Sequence, residues 1–138
     1  MELLLSPKDA QKSTREALKM GYRLIDTANA YVNERAVGRG IKESGIDRKE
    51  VFLSTKLWPS EYENPNAVDE TLERLGVDYV DLLYIHQPAG NWLQGYRQLG
   101  KTKASVTTTA LTSNSFNLPH GSQTLKRPDM KKDGAGFG

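Results

Sequence analysis

The 138-residue chain has no cysteine, which removes disulfides, thiolate metal sites and cysteine nucleophiles together, and suits a reducing compartment. Histidine is nearly as scarce: His86 and His120 are the only two, so a histidine-based metal centre has no ligand set and no metal is expected. No run of eighteen apolar residues exists, and the opening Met1-Glu2-Leu3-Leu4-Leu5 lacks a basic leader, so neither a membrane span nor a secretory signal is expected and the cytoplasm is the default. Basic character is confined to one end. Residues 1–100 carry thirteen Lys and Arg against fifteen Asp and Glu, whereas residues 101–138 carry six against two. A solvated Lys/Ser/Thr/Gly tail accounts for the net +2, and with no basic face interleaved with aromatics a nucleic-acid partner is not expected.

What is present is a regular alternation of helix and strand signals. Ser6-Pro7-Lys8-Asp9 is a helix start, with a serine cap, proline where its missing N–H costs nothing and an acid in the first turn. Ala10, Ala17 and Leu18 share its face and Gly21 stops it. Tyr22 to Asp26 reads as a strand, Asn33 caps a helix ended by Gly45, and Val51 to Lys56 is the next strand. Asn64-Pro65 opens a third helix with a Val68, Leu72, Leu75 stripe closed by Gly76, and Val80 to His86 is a third strand. Asn91 caps a fourth helix whose stripe is Trp92, Tyr96 and Leu99. Strands that read as apolar runs suit a parallel sheet covered on both faces, so the class is α/β with parallel strands and alternating helices.

Three ionisable residues recur at the ends of these strands. Asp26, Lys56 and His86 lie 30 residues apart in turn, one strand-helix unit each. Parallel strands put those ends on a single rim, where ligands and chemistry are found in such folds, and Tyr31 stands on the adjoining loop. Together the four supply an acid, a charged neighbour to tune it, a carboxylate to place that neighbour and an imidazole to orient a substrate. Taken singly each has a plainer reading: a turn carboxylate, a loop phenol, a solvated strand end, a structural histidine.

The stretch Gly21-Tyr22-Arg23-Leu24-Ile25-Asp26-Thr27-Ala28-Asn29-Ala30-Tyr31-Val32-Asn33-Glu34-Arg35-Ala36-Val37-Gly38 is similar, position for position, to the signature of the aldo-keto reductases. Ser54-Thr55-Lys56-Leu57-Trp58 and Asp78 to Pro88 resemble the segments around that family's lysine and histidine. The resemblance implies a partial (β/α)8 barrel and an NADPH-dependent reduction of aldehydes and ketones to alcohols. In that reading Tyr31 is the general acid/base, Lys56 and Asp26 its tuning pair, His86 the substrate orienter, and Trp58 lines the substrate pocket with His86. Asp26 also lies at the cofactor. The family binds its nucleotide without a Rossmann loop, consistent with Gly38-Arg39-Gly40 falling inside a helix rather than after a strand.

The resemblance runs from about residue 6 to 99, half of a barrel that typically needs roughly 250 residues. Residues 1–104 are therefore read as an aldo-keto reductase-like half-barrel and residues 105–138 as an atypical, poorly ordered tail, from a truncated or frame-shifted copy. Ser105 to Leu111 is the one strand candidate in that tail, Ser113-Asn114-Ser115-Phe116 faintly echoes a nicotinamide contact, and Asn117 to Gly138 is polar and Gly- and Lys-containing. A half-barrel has open strand edges and exposed apolar surface, so it is expected to form a homodimer through those edges, bind a partner or sit partly unfolded. Two functions stay open: a carbonyl reductase acting on a small-molecule substrate, and an inactive remnant that serves as an interaction module.

Overall fold

The computed structural model describes residues 5–100, and the expected strand at Ser105 to Leu111, the serine-asparagine echo at 113–116 and the disordered reading of the remainder lie outside them. Four helices and three strands alternate: α1 (Pro7–Lys19), β1 (Leu24–Asp26), α2 (Glu34–Ser44), β2 (Phe52–Leu57), α3 (Ala67–Leu75), β3 (Leu82–Ile85) and α4 (Trp92–Leu99). The strands form one parallel sheet in the order β1-β2-β3. Leu24 stands opposite Phe52 and Asp26 opposite Ser54, while Ser54 stands opposite Leu82 and Lys56 opposite Tyr84. The ladder continues past the strands through the Thr27 N–H to the Ser54 carbonyl and the His86 N–H to the Leu57 carbonyl, both at 3.0 Å.

Helix boundaries follow their chemistry. The Ser6 hydroxyl accepts from the Asp9 N–H at 3.2 Å with Pro7 at the first helical position, and Ala10, Thr14 and Leu18 are the buried face of α1. Gly45 and Gly76 end α2 and α3 in the left-handed conformation, at φ +74° and +65°. The third helix starts later than the Asn64-Pro65 pair predicts. Asn64 Oδ1 accepts from the Asn66 N–H at 3.0 Å, an Asx turn that holds Pro65 outside the helix, and Asn66 takes the cap position. Short 3-10 turns at 29–31, 48–50 and 59–61 occupy segments that carry no periodic signal.

The core fills the space between the helices and one face of the sheet, with Leu18, Val37, Ile41, Leu53, Leu57, Leu72, Leu75, Leu83, Ile85 and Leu99 in one cluster. Close backbone approach sets the helix spacing. A Cβ on Gly38 would lie 2.0 Å from the Leu75 carbonyl oxygen, and one on Gly40 would lie 2.6 Å from that of Gln11, so α2 touches α3 and α1 through bare backbone. Below the sheet Arg48 donates to the Val51 and Tyr79 carbonyls and to Asp81 Oδ2, its guanidinium 4.1 Å from the Tyr79 ring centroid. Asp81 also accepts from the Leu53 N–H at 3.0 Å, so one buried carboxylate ties the starts of β2 and β3 together. Among the described residues no helix is long and apolar enough to cross a membrane.

Candidate active site

Strand alternation divides the sheet into two faces. Ile25, Leu53, Thr55, Leu57, Leu83 and Ile85 point toward the helices, leaving Asp26, Ser54, Lys56, Tyr84 and, just beyond β3, His86 on the other side. The helix face needs its polar groups paired. Glu34, at the start of α2 and almost fully buried, accepts from Thr55 Oγ1 at 2.8 Å and from Arg74 Nε at 2.7 Å, joining α2 to β2 and α3. The start of α2 is thereby fixed against the sheet, and the loop before it inherits that position.

That loop carries Tyr31. Thr27 Oγ1 donates to Asn33 Oδ1 at 2.8 Å across its base, a buried bond that closes the 29–31 turn. Val32 follows in the left-handed region at φ +54°, where a β-branched side chain is strained. The turn directs the Tyr31 ring inward, 5.3 Å from Lys56 Nζ. Lys56 is held from three directions: it donates to Asp26 Oδ2, it donates to the Thr27 carbonyl at 3.1 Å, and it lies between the rings of Tyr31 and Tyr84. Asp26 in turn accepts from the Ser54 hydroxyl on the neighbouring strand.

Electrostatics follow from this packing. Burial acts to lower the pKa of Lys56, but the hydrogen bonds with Asp26 and Tyr84 outweigh it and the net shift is upward, so the lysine stays an ammonium at neutral pH. Burial raises the Tyr84 phenol, against the lowering effect of Lys56. Its hydroxyl is therefore a proton donor across the neutral range, and it stands 3.5 Å from Asp26 Oδ1.

His86 packs edge-on against two aromatic rings, with centroids 4.9 Å from Trp58 and 5.9 Å from Tyr31. Tyr31 and Trp58 also line a cleft of about 810 Å3 that runs over the start of α2 past Arg35 and Arg39. All five residues singled out in the sequence are thus brought together: Asp26 and Lys56 in an ion pair, Tyr31 against the ammonium, His86 against Tyr31, and Trp58 against His86.

Three neighbours were not foreseen: Ser54, Tyr84 and the Thr27–Asn33 clasp. The signal for the first two lies in the period of two, since Ser54 shares a strand face with Lys56 and Tyr84 with His86. Reading β2 and β3 as apolar runs conceals it.

The sequence model of the Aldo/keto reductase family matches residues 4–111 of the chain. The chain belongs to the aldo/keto reductase family. The match begins two residues before residue 6 and ends twelve beyond residue 99, so it takes in the Ser105 to Leu111 stretch. The chain is 54% identical over 82 residues to glycerol 2-dehydrogenase (NADP(+)) of Saccharomyces cerevisiae, covering 59% of this chain and 26% of that protein. It is 39% identical over 127 residues to glyoxal reductase of Bacillus subtilis, covering 89% and 46%. Among solved structures, an aldo/keto reductase from Brucella melitensis superposes with a TM-score of 0.67 at 42% identity, over 77% of this chain and 46% of that one. The chain thus spans less than half the length of these relatives, and its three-stranded parallel sheet with alternating helices is a partial (β/α)8 barrel.

Proposed function

We propose that this aldo/keto reductase chain takes part in the NADPH-dependent reduction of small aldehydes and ketones to alcohols, in the cytoplasm. The observation that carries the reading is the buried Lys56 ammonium, which gathers Asp26 and the Tyr31 ring at the rim of the sheet where His86 and Trp58 also stand. The donor set fits the reacting end of a nicotinamide nucleotide. Lys56 is only 10% exposed but Asp26 is 40% exposed, so the floor of the site is charged, anchored and open above. Asp26 and Tyr31 are the residues that would border the nicotinamide, which when bound supplies the hydride.

The chain's own residues account for the proton. The Tyr31 hydroxyl gives its proton to the oxygen of the carbonyl as negative charge develops there. Lys56, beside the same ring, stabilises the negative charge left on the phenol oxygen, and Asp26 with the Thr27 carbonyl keeps the ammonium in place. His86 donates a hydrogen bond to the carbonyl oxygen and orients it, while Trp58 forms the wall of the substrate pocket.

A second reading is favoured by a different observation. Tyr22, Leu24 and Phe52 are 65%, 63% and 39% exposed, Leu24 and Phe52 as register partners on the sheet face that carries Asp26, and such a surface calls for a covering partner. It supports a homodimer joined through the open edges, or an interaction module without turnover. Titration of the full chain with NADPH, followed by nucleotide fluorescence and by quenching of Trp58 and Trp92, separates the readings. Saturable micromolar binding, with carbonyl reduction lost in Tyr31→Phe at unchanged NADPH affinity, supports the reductase. A folded chain that elutes as a dimer and binds no nucleotide supports the module.

A further inference from the structure

Lys56 has more neighbours than the proposed reduction uses. Two phenol rings flank its ammonium at nearly equal distance, Tyr31 at 5.3 Å and Tyr84 at 5.4 Å. Tyr31 has a role in proton transfer, whereas Tyr84 has none. Tyr84 lies on β3 two residues before His86, opposite Lys56 in the strand register, and its hydroxyl points to the second oxygen of Asp26, the one Lys56 does not engage. The groups around Lys56 are Asp26 from β1, Tyr31 from the 29–31 turn with His86, just beyond β3, edge-on against it, and Tyr84 from β3, while Ser54 on its own strand bonds Asp26. Glu34 and Arg74 pair with each other on the opposite face of β2, where Glu34 accepts from Thr55 and Arg74 donates to Thr71.

From this arrangement we infer that Tyr84 is a positioning residue for the reduction, holding the Asp26–Lys56 pair from the β3 side and so fixing where the Lys56 charge stands beside Tyr31. The inference rests on the reductase reading for its purpose, though not for its geometry. Two physical effects act in the same direction. The hydroxyl of Tyr84 joins that of Ser54 as a second donor to Asp26 Oδ1 and keeps the carboxylate turned toward Lys56 from the β3 side, and its oxygen gives a largely desolvated ammonium one more polar neighbour. Both favour the charged lysine, which agrees with the upward shift of Lys56 against its burial. The upward shift of Tyr84 keeps its hydroxyl protonated, as a donor to Asp26 must be.

The test is a carbon-13 NMR titration of the full chain, labelled at the lysine ε-carbons, in wild type and Tyr84→Phe, with the Lys56 signal assigned by its loss in Lys56→Met. Phenylalanine keeps the ring and removes only the hydroxyl. The expected result is a drop of about threefold in the proton affinity of Lys56, the size of one partly solvated hydrogen bond, with every other lysine unmoved. A Lys56 midpoint that stays put or rises in a folded Tyr84→Phe chain overturns the inference. Should that variant not fold, nuclear Overhauser contacts between the Lys56 ε-protons and the Tyr84 ring in the wild type decide instead, and their absence overturns it. None of this requires turnover, so failure of the reductase reading would show separately, as missing NADPH binding with the Lys56 titration intact. In a chain that turns over, Tyr84→Phe moves the alkaline limb of kcat to lower pH and leaves KM unchanged, because Tyr84 does not touch the substrate.

Discussion

On the β1 side of the sheet Lys56 and Asp26 pair out of the strand register. The ammonium reaches diagonally to Asp26, whose register partner on β2 is Ser54, two residues earlier on the same face. The diagonal lets one carboxylate receive both the Lys56 ammonium and the Ser54 hydroxyl, and it draws the lysine across the β1 side toward the loop that carries Tyr31.

Replacing Asp26 by Asn leaves this ammonium with the Thr27 carbonyl as its main acceptor, at a cost of about 1 to 3 kcal/mol at pH 7 given that the carboxylate is partly solvated. Because the folded-state pKa of Lys56 is raised above its ordinary 10.5, the stabilisation is complete below that value and is lost as pH climbs through the folded one. Urea unfolding of wild type and Asp26→Asn at pH 7 and at pH 11.5 checks this. The stability gap must narrow at the higher pH, and a constant gap removes the ion pair as its cause.

Gly38→Ala separates close packing from backbone freedom. The added methyl would sit 2.0 Å from the Leu75 carbonyl oxygen, so α2 and α3 must part, costing about 3 kcal/mol. Gly45→Ala meets nothing within 4 Å and costs only about 1 kcal/mol for its left-handed φ of +74°. Thermal melts of the two variants should rank Gly38→Ala well below Gly45→Ala.

Val32→Gly is expected to stabilise. The valine is 86% exposed at φ +54° and packs against little, so glycine relieves about 1 kcal/mol of strain without emptying the core. A fall in the melting temperature would show that the side chain contributes contacts that outweigh its conformation.

Asp81→Asn breaks the tie between the starts of β2 and β3. It leaves the half-buried Arg48 guanidinium without its carboxylate and weakens the acceptor of the Leu53 N–H, a loss of about 3 kcal/mol. Denaturant midpoints measure it, and a change under about 0.5 kcal/mol, the range of an ordinary surface substitution, would contradict the assignment.

Much of this was legible because local chemistry agrees with the fold. Ser6-Pro7 starts α1 and Gly45 and Gly76 end α2 and α3, and the spacing of Asp26, Lys56 and His86 follows from one strand-helix unit between parallel neighbours. The third helix was misplaced by two residues because Asn64 makes an Asx turn rather than a cap, a choice between two local hydrogen-bond patterns open to the same side chain. The strands expected from Tyr22 and Val80 begin two residues later, at Leu24 and Leu82, although Arg23 and Asp81 each still make one backbone bond to β2. Tyr84 escaped notice because its partners are non-local: Asp26 is 58 residues away, and no sequence window contains both.

The order of the sheet has a consequence for the chain as it is synthesised. Every pairing in it is parallel and joins segments about 28 residues apart, so among the described residues the nascent chain meets no hairpin that can form early. The α1–α2 pair can assemble while β2 is still emerging. Lys56, however, is translated thirty residues after Asp26 and thirty before His86, and its ammonium is enclosed only once Tyr84 has been added on the far side. A ribosome stalled before β3 therefore carries a more solvated lysine, and the charged centre of the site becomes native only after β3 has joined the sheet.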